Sequence, residues 1–339
     1  MQSSEKCNPV LVEVIRKDEV ESIHRGSALV VDATGKRLFS IGDVDRHIYP
    51  RSALKFFQAI PLVESGAADQ YELTEREIAL SCASHNAEKI HTETVISWLQ
   101  RLGLGCDDLE CGPTLPLSPG AAHALIAAGE SPTRVHQNCS GKHSGMLTMC
   151  KHLGAETRGY SEYRHPSQAA WMKTMGEIMQ IDIFSLPWER DGCGLPALYM
   201  PMARLAFGFA RYADMKGIET PRARAMARIL QAIIKYPEMI AGSKRCCTAV
   251  IDKTGGKVIV KTGAEGVFGG CIPERGIGFA LKVDDGATRA SEVAMGALLK
   301  KLGLLDQKTA QALTPWFEPA IINSQGKVTG KVIASSAWR

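Results

Sequence analysis

Tyr49-Pro50-Arg51-Ser52-Ala53-Leu54-Lys55-Phe56-Phe57-Gln58-Ala59-Ile60 is the stretch around which the chain is organised, a polar turn that runs into an apolar helix. Pro50 suits the start of a helix. Residues three apart on a helix are neighbours, so the amine of Lys55 can reach the hydroxyl of Ser52. The apolar side chains after Lys55 would desolvate the amine and lower its pKa, which allows a neutral lysine to act as general base toward a serine. The stretch therefore predicts a serine nucleophile activated by a lysine.

The spacing S-x-x-K is short and occurs three times, at Ser3 to Lys6, Ser52 to Lys55 and Ser324 to Lys327. The first copy lies in a polar N-terminal segment, and Gly326 makes the third copy a turn. Only the second copy has the helical, apolar context that the chemistry requires. Its alternative interpretation is a capping serine followed by a surface lysine.

A second motif strengthens the catalytic interpretation. The β-branched run Val258-Ile259-Val260 predicts a strand that delivers Lys261-Thr262-Gly263 at its end. S-x-x-K with a downstream K-T-G is typical of serine β-lactamases and penicillin-binding proteins. An earlier K-T-G, Lys253-Thr254-Gly255, lies between two apolar runs and is set aside as a hairpin turn. The alternative for Lys261 is an edge-strand lysine that discourages aggregation.

Composition indicates a globular chain of one large or two ordinary domains, with 339 residues of which 45% are hydrophobic. The N-terminal residues lack the apolar run of a signal peptide, and no apolar run long enough to span a membrane follows, so we expect a cytoplasmic protein. Ten cysteines in that setting favour reduced thiols over disulfides. The net charge of +4 comes from interspersed basic and acidic residues, which predicts neither a nucleic-acid nor a membrane partner.

Strand and helix signals divide the chain. Strands are predicted at residues 10–15, 28–32, 37–41, 248–252, 257–261 and 276–283. Helices are predicted at residues 52–64, 142–153, 167–180, 197–211, 221–235 and 289–302, and Thr74 to Glu77 forms a capping box. We expect an α+β fold in which residues 1–65 and 243–339 form a discontinuous antiparallel sheet domain flanked by helices. Residues 66–242 would form an inserted, mostly helical domain, with the active site between the two domains.

Two polar clusters within the helical part are candidates for chemistry. In Ser81-Cys82-Ala83-Ser84-His85-Asn86, the pair Ser84-x-Asn86 has the outline of the third element of penicillin-recognising enzymes. It offers a hydroxyl for proton transfer and an amide for the substrate. The alternative is an ordinary loop.

The second cluster is Asn138-Cys139-Ser140-Gly141-Lys142-His143, and Asp191-Gly192-Cys193-Gly194 adds another thiol. Cys139 and His143 are four residues apart and share a helical face, and thiolate with imidazole suits zinc. No C-x-x-C spacing supports a metal site, so spacing alone favours a buried, inert Cys193.

Taken together, these motifs resemble the rhizobial-type L-asparaginases of the asparaginase II family. The resemblance rests on five separated motifs that occur in order, and it runs from about Val10 to the C-terminus. It implies a serine β-lactamase and glutaminase-like fold, a homodimer, and hydrolysis of L-asparagine to L-aspartate and ammonia.

The resemblance also implies residue roles. Two Ser-Lys pairs map onto Ser52 with Lys55 and onto Ser84 with Lys261, and a Zn²⁺ site maps onto Cys139, Lys142 and Cys193. The zinc ligand is then Lys142 and no longer His143, and a lysine ligand must be neutral. By analogy with the fold, the backbone N–H groups of Ser52 and Ala264 are candidates for an oxyanion hole. The candidates for binding the amino-acid head of the substrate are Arg51, Asn86, His143 and Asp191.

Other functions stay open at the level of sequence. Glutamine could be the preferred substrate, because one methylene group changes discrimination by only ~1–3 kcal/mol. A penicillin-recognising hydrolase or peptidase would share S-x-x-K and K-T-G, although such enzymes normally act outside the cytoplasm. A metal-stabilised binding protein would keep the cysteines without needing Lys55 or Lys261.

Overall fold

The computed structural model describes residues 7–339, and its contacts divide the chain into two units. Unit 1 consists of the chain up to Ala53, Met200–Asp214 and Lys253–Arg339. Unit 2 consists of Leu54–Tyr199 and Met215–Asp252. Ser3 and Lys6, the first S-x-x-K copy, lie outside the described residues.

The strands in chain order are β1 (Val10–Arg16), β2 (Glu19–Asp32), β3 (Arg37–Ile41), β4 (His47–Ile48), β5 (Trp188–Arg190), β6 (Pro196–Leu198), β7 (Met200–Pro201), β8 (Ile259–Gly263), β9 (Val267–Ile272), β10 (Ile277–Val283), β11 (Ala320–Ile322) and β12 (Val328–Ala334). The α-helices are α1 (Lys55–Gln58), α2 (Ile60–Glu64), α3 (Ala67–Gln70), α4 (Glu75–Ser81), α5 (Lys89–Arg101), α6 (Pro119–Ala127), α7 (Ser140–Leu153), α8 (Pro166–Met179), α9 (Met202–Asp214), α10 (Thr220–Lys235), α11 (Glu238–Ala241), α12 (Cys246–Lys253), α13 (Thr288–Lys301) and α14 (Gln307–Phe317).

Unit 1 is built on an antiparallel sheet with the strand order β11-β12-β1-β2-β10-β9-β8, and β3 also pairs with β2. The long strand β2 joins the sheet together, because its first half pairs with β1 and its second half with β10. Apolar residues of β2 and β10 lie opposite one another in the buried centre, for example Val30 opposite Phe279. The predicted class, an antiparallel sheet combined with helices, is confirmed.

Helix α9 packs against β10 and β9 in unit 1. A Cβ atom on Gly278 would lie 2.1 Å from the backbone nitrogen of Ala210, so only glycine permits this approach of helix and strand. From the sequence, this helix, predicted at residues 197–211, belongs to the inserted helical block. The structure instead groups it with the sheet, because the glycine-lined surface of β10 and β9 accepts its apolar face.

The predicted strand at 248–252 is wrong, because these residues lie in α12. Cys246, Cys247, Val250 and Ile251 are buried, and pairs of apolar residues four positions apart form one face of a helix. This packing overrides the strand propensity of the β-branched residues. The Lys253-Thr254-Gly255 segment therefore begins at the last residue of a helix and is not a β-hairpin turn.

Unit 2 is mostly helical, with α7 at its centre. Helix α7 contacts α2, α4, α5 and α8, and its residues from Ser140 through Cys150 are all buried. The predicted capping box of α4 is confirmed: Thr74 Oγ1 accepts from the Glu77 N–H at 3.3 Å, and Glu77 Oε2 accepts from the Thr74 N–H at 2.9 Å. The burial of α7 places its polar residues in the interior of the unit.

Across residues 7–339, none of the helices combines the length and the apolar character that crossing a membrane requires.

Candidate active site

In unit 1, the segment that carries Ser52 has an unusual backbone. Arg51 has a positive φ of 54°, a conformation that costs a non-glycine residue energy and is concentrated at functional sites. Arg51 is the first residue of a short 3₁₀ turn, Arg51–Leu54, which leads directly into α1 at Lys55. The predicted helical start around Ser52 is therefore present, with a strained residue immediately before the serine.

The K-T-G segment of β8 lies against this turn within unit 1. A Cβ atom on Gly263 would lie 2.3 Å from the carbonyl oxygen of Pro50, so the glycine is needed for the close approach of the two backbones. Lys261 is fully buried, and its Nζ donates to the Thr262 carbonyl at 2.9 Å. Ala264 follows β8 and is exposed. Unit 1 thus brings the Lys261 strand to the segment that precedes Ser52.

In unit 2, Lys55 is fully buried and its amine is surrounded by polar atoms. Nζ lies 2.9 Å from Ser84 Oγ and 3.0 Å from Cys139 Sγ, and it also donates to the carbonyl oxygen of Ala83. Burial lowers the pKa of Lys55 below its ordinary value, and the charge of Lys142 acts in the same direction. The S-x-x-K spacing predicts Ser52 as the partner of Lys55, whereas the hydroxyl that Lys55 contacts within unit 2 is that of Ser84.

Backbone hydrogen bonds hold Ser84 in place. Its N–H donates to the Ile240 carbonyl at 2.9 Å, and the N–H of His85 donates to the Asn138 carbonyl at 3.1 Å. The ring of His85 is also fixed, with Nε2 2.9 Å from Ser140 Oγ. The segment after α4 is thus tied to the start of α7, which keeps the Ser84 hydroxyl beside Lys55.

The three predicted zinc ligands, Cys139, Lys142 and Cys193, lie together in unit 2 and are buried. Lys142 Nζ is 3.2 Å from Cys193 Sγ. A hydrogen bond between the two thiols holds the pKa of Cys193 well below its ordinary value and, together with burial, raises the pKa of Cys139 to about 12. Burial is the largest single influence on the pKa of Lys142 and acts to lower it. The negative charges of Cys193, Cys139 and Asp191 and the hydrogen bond to Cys193 together outweigh burial and raise the pKa.

These residues fit a zinc ion by their chemistry, because two sulfur atoms and one nitrogen atom form a donor set that zinc accepts. Lys142 would have to lose its proton to serve as a ligand. Among residues 7–339, no group of three or more His, Cys, Asp and Glu side chains is arranged to hold a metal ion. A metal site in this cluster therefore depends on the lysine.

His143 is fully buried beside this cluster. Its Nδ1 lies 2.7 Å from Tyr160 Oη, and that hydroxyl accepts from the backbone N–H of Glu110 at 2.8 Å. Burial and the charge of Lys142 lower the pKa of His143 to about 3, so its ring is neutral. Nε2 has no hydrogen-bond partner within the described residues.

The remaining predicted substrate-binding residues of unit 2 are Asn86 and Asp191. The amide of Asn86 is occupied on both sides, because Nδ2 donates to the Ser243 carbonyl at 3.0 Å and Oδ1 accepts from Arg245 at 2.8 Å. Asp191 lies in the loop that carries Cys193, where its charge acts on Lys142. Asn86 therefore has a structural role that the sequence analysis did not anticipate.

Tyr160 contacts His143, and Glu110 holds the loop of Tyr160; neither residue belongs to a motif singled out from the sequence. Glu110 Oε2 accepts from the N–H of Ser161 at 2.8 Å, and Oε1 accepts from the N–H of Gly159. These bonds fix the loop that presents Tyr160 to His143. No spacing in the sequence connects the two segments, because the contact joins residues about 50 positions apart.

The comparison with protein families defines the class. Residues 12–334 match the family described as L-asparaginase II, and the chain therefore belongs to that family. Membership supports an asparagine amidohydrolase. The resemblance that the five motifs indicated is thus confirmed.

Several solved structures are similar to this chain, including the following two. One is the crystal structure of a candidate β-lactamase from Bacteroides dorei, with 14% sequence identity, a TM-score of 0.40, and coverage of 76% of this chain and 85% of that one. The other is the octameric penicillin-binding protein homologue from Pyrococcus abyssi, with 15% identity, a TM-score of 0.32, and coverage of 82% of this chain and 73% of that one. No curated protein sequence matches the chain.

Proposed function

We propose that this protein hydrolyses L-asparagine to L-aspartate and ammonia by acyl transfer to a serine that a lysine activates. The observation that carries the proposal is the 2.9 Å contact between Lys55 Nζ and Ser84 Oγ in a chain of the L-asparaginase II family. Because Lys55 is fully buried, its neutral form is favoured, and a neutral amine can accept a proton from a hydroxyl.

In the proposed reaction, Lys55 takes the proton of the attacking serine as the serine oxygen bonds to the side-chain amide carbon of asparagine. The carbon–nitrogen bond then breaks, the nitrogen receives a proton through Ser84 and Lys261, and ammonia leaves. Water hydrolyses the resulting ester and releases L-aspartate. The backbone N–H groups of Ser52 and Ala264 would stabilise the negative oxygen of the intermediates.

We propose Ser52 as the attacking serine. The strained Arg51 immediately before it and the K-T-G segment beside it support this role. The contact between Lys55 and Ser84 favours a second assignment, in which Ser84 attacks directly. The two assignments share Lys55 as the base, and they differ in which hydroxyl becomes acylated and in whether Ser84 takes part in passing a proton to the leaving nitrogen.

A trapping experiment tests both the function and the role of each serine. The purified protein would be treated with an electrophilic asparagine analogue, digested and examined by mass spectrometry. We expect the label on the peptide that contains Ser52, with none on Ser52→Ala. A label on Ser84 alone would reverse the two roles. No label, together with no ammonia from asparagine, would refute the hydrolase proposal.

We also propose that Cys139, Lys142 and Cys193 hold Zn²⁺. The buried cluster of two thiols and an amine supports this proposal. Bound there, the metal would supply a positive charge that orients a substrate carboxylate or carbonyl group. The protein side chains contribute burial and fixed positions: Cys139 also contacts Lys55 Nζ at 3.0 Å, which links the metal cluster to the proposed base.

Further parts of the proposal concern the substrate and the assembly. Arg51, His143 and Asp191 are proposed to bind the amino-acid head of asparagine, and Asn86 would do so only if its bonds to Ser243 and Arg245 rearranged.

A homodimer and a cytoplasmic location are proposed from the sequence and the family resemblance. A coupled ammonia assay with asparagine and glutamine separates asparaginase from glutaminase activity, and turnover of nitrocefin would instead indicate a penicillin-recognising hydrolase.

A further inference from the structure

We propose that Tyr160 is a positioning residue that holds His143 with its ring proton on Nε2, so that His143 donates a hydrogen bond to an oxygen atom of the substrate. The tautomer follows from the free protein alone, whereas the identity of the acceptor rests on the proposed function. Nothing in the sequence motifs connects Tyr160 with this site.

The two hydrogen bonds of the Tyr160 hydroxyl determine where its proton points. The backbone N–H of Glu110 is a donor, and it lies 2.8 Å from Tyr160 Oη, so the tyrosine oxygen accepts there. The other polar atom bonded to Oη among residues 7–339 is His143 Nδ1, at 2.7 Å. The tyrosine proton therefore points to Nδ1, because no other acceptor within the described residues is hydrogen-bonded to Oη.

The chemistry of imidazole then determines which nitrogen of His143 carries the proton. A neutral ring carries its proton on one nitrogen, and the other nitrogen accepts. Since Nδ1 accepts from Tyr160, the proton of His143 lies on Nε2. That atom is buried and has no partner in the described part of the chain. A buried donor without an acceptor is energetically unfavourable, and a bound acceptor would remove that cost.

The geometry determines what His143 can do. An Nε2–H group is a donor, so in this state it serves neither as a general base nor as a metal ligand through that nitrogen. It suits a carboxylate or amide carbonyl oxygen, and it is unsuitable for the ammonium group of an amino acid. We therefore infer that the substrate turns an oxygen atom toward His143 and its α-ammonium group elsewhere.

Glu110 holds the loop that carries Tyr160. Its carboxylate accepts the N–H groups of Gly159 and Ser161, on either side of Tyr160. Tyr160 itself is fully buried, and its ring lies edge-on to His143 with 5.5 Å between ring centroids. Both the direction of the hydroxyl and the plane of the imidazole are thus constrained.

The direct test is nuclear magnetic resonance of the unaltered protein labelled with ¹⁵N-histidine, with His143→Gln used to assign the signals. We expect Nε2 to carry the proton and Nδ1 to be a hydrogen-bonded acceptor. Addition of L-aspartate, the product of the proposed reaction, should shift the Nε2 proton signal. A proton on Nδ1, or bound aspartate that leaves the Nε2 proton signal unchanged, would overturn the proposal.

Tyr160→Phe tests the positioning role. This variant should move the Nδ1 signal toward that of a nitrogen without a hydrogen bond and weaken aspartate binding about threefold to tenfold, since one hydrogen bond is lost. Tyr163→Phe is the matched control, because Tyr163 is in the same loop and its ring stacks on Trp188. Tyr163→Phe should change neither quantity. An unchanged Nδ1 signal in Tyr160→Phe would count against the inference.

A double-mutant cycle separates positioning from a general structural effect. Gln at position 143 carries an amide N–H₂ near the place of Nε2 and has no tautomers. In the His143→Gln background, Tyr160→Phe should change aspartate affinity less than twofold. An equal loss in both backgrounds would show that Tyr160 acts only through the fold. If asparagine is not hydrolysed at all, the proposed function fails, while the tautomer measurement still decides the role of Tyr160.

Discussion

The amine of Lys55 lies 2.9 Å from the hydroxyl of Ser84, although the two residues are separated by 29 positions in the chain. Lys55 opens α1, and Ser84 lies in the segment that follows α4. Both side chains are shielded from solvent, so a proton transferred between them does not compete with bulk water. The contact is the observation on which the proposed acid–base role of Lys55 depends.

Removal of the Lys55 amine should abolish turnover. We expect Lys55→Met, which keeps the length of the side chain without the amine, to lower kcat for ammonia release by about 10²–10⁴-fold, the usual contribution of a general base. The measurement is a coupled ammonia assay on protein whose folding is verified by circular dichroism.

Lys151→Met is the control for this change, because Lys151 is exposed on α7. It should keep the activity of the unaltered protein. A Lys55→Met variant with near-normal kcat would remove Lys55 as the base.

Metal content should depend on the buried thiol cluster. We expect elemental analysis to find about one Zn²⁺ per chain in the purified protein and strongly reduced zinc in Cys193→Ala, because a donor is lost from a site with few protein ligands. Cys106→Ala, at a half-buried cysteine, should retain the metal. Equal zinc in all three proteins would exclude this cluster as the binding site.

A side chain at Gly263 should disturb both the stability and the activity of the protein. The Cβ atom of Gly263→Ala would lie 2.3 Å from the Pro50 carbonyl, so one of the two backbones must move. We expect a loss of about 1–3 kcal/mol in the free energy of unfolding, measured with urea, together with a fall in kcat.

Gly120→Ala provides the comparison for Gly263→Ala. Gly120 lies in α6, where its Cβ would make only an ordinary contact with Ser118. Alanine there should be neutral or stabilise the protein by about 0.5–1 kcal/mol. If Gly263→Ala behaved in the same way, the close approach to Pro50 would be irrelevant.

Glu110 should contribute a pH-dependent part of the stability. Burial acts to raise the pKa of Glu110, but hydrogen bonds from Ser161 and Gly159 outweigh burial and hold it below its ordinary value of 4.5. A carboxylate with a lowered folded pKa stabilises the protein above the unfolded pKa, and this stabilisation is lost as pH falls through the folded pKa. Glu110→Gln should therefore be destabilised at pH 7, by about 1 kcal/mol.

The difference in urea midpoint between Glu110→Gln and the unaltered protein should shrink once pH falls below 4.5. Glu130→Gln, at an exposed glutamate, should leave the midpoint unchanged at each pH. A deficit of Glu110→Gln that stayed constant with pH would contradict a role for the charged carboxylate.

Much of the sheet could be predicted because its signals are local. Alternating and β-branched runs identified the strands that became β1, β3, β8 and β10, and the Thr74 capping box marked the start of α4 correctly. The error at α12 has a physical cause. Its β-branched residues favour a strand locally, but its apolar residues are spaced so that they form one buried face of a helix. Burial decided between two local preferences of similar strength.

The candidate site likewise has features that the local sequence could predict and features that it could not. Local context singled out Ser52 among three S-x-x-K copies and Lys261 over the earlier K-T-G, and the family match supports the interpretation as an asparaginase. The partner of Lys55, the occupied amide of Asn86 and the part played by Tyr160 could not be predicted, because each depends on contacts between distant segments.

The sequence by itself determined which chemical groups are available and where several of the strands and helices lie, because backbone preferences and short motifs act over a few neighbouring residues. Only the tertiary structure decided which hydroxyl meets the Lys55 amine, which thiol contacts Lys142, and which hydroxyl meets Nδ1 of His143. The physical reason is that hydrogen bonds and desolvation depend on distances of a few ångströms between groups that lie tens of residues apart in the chain.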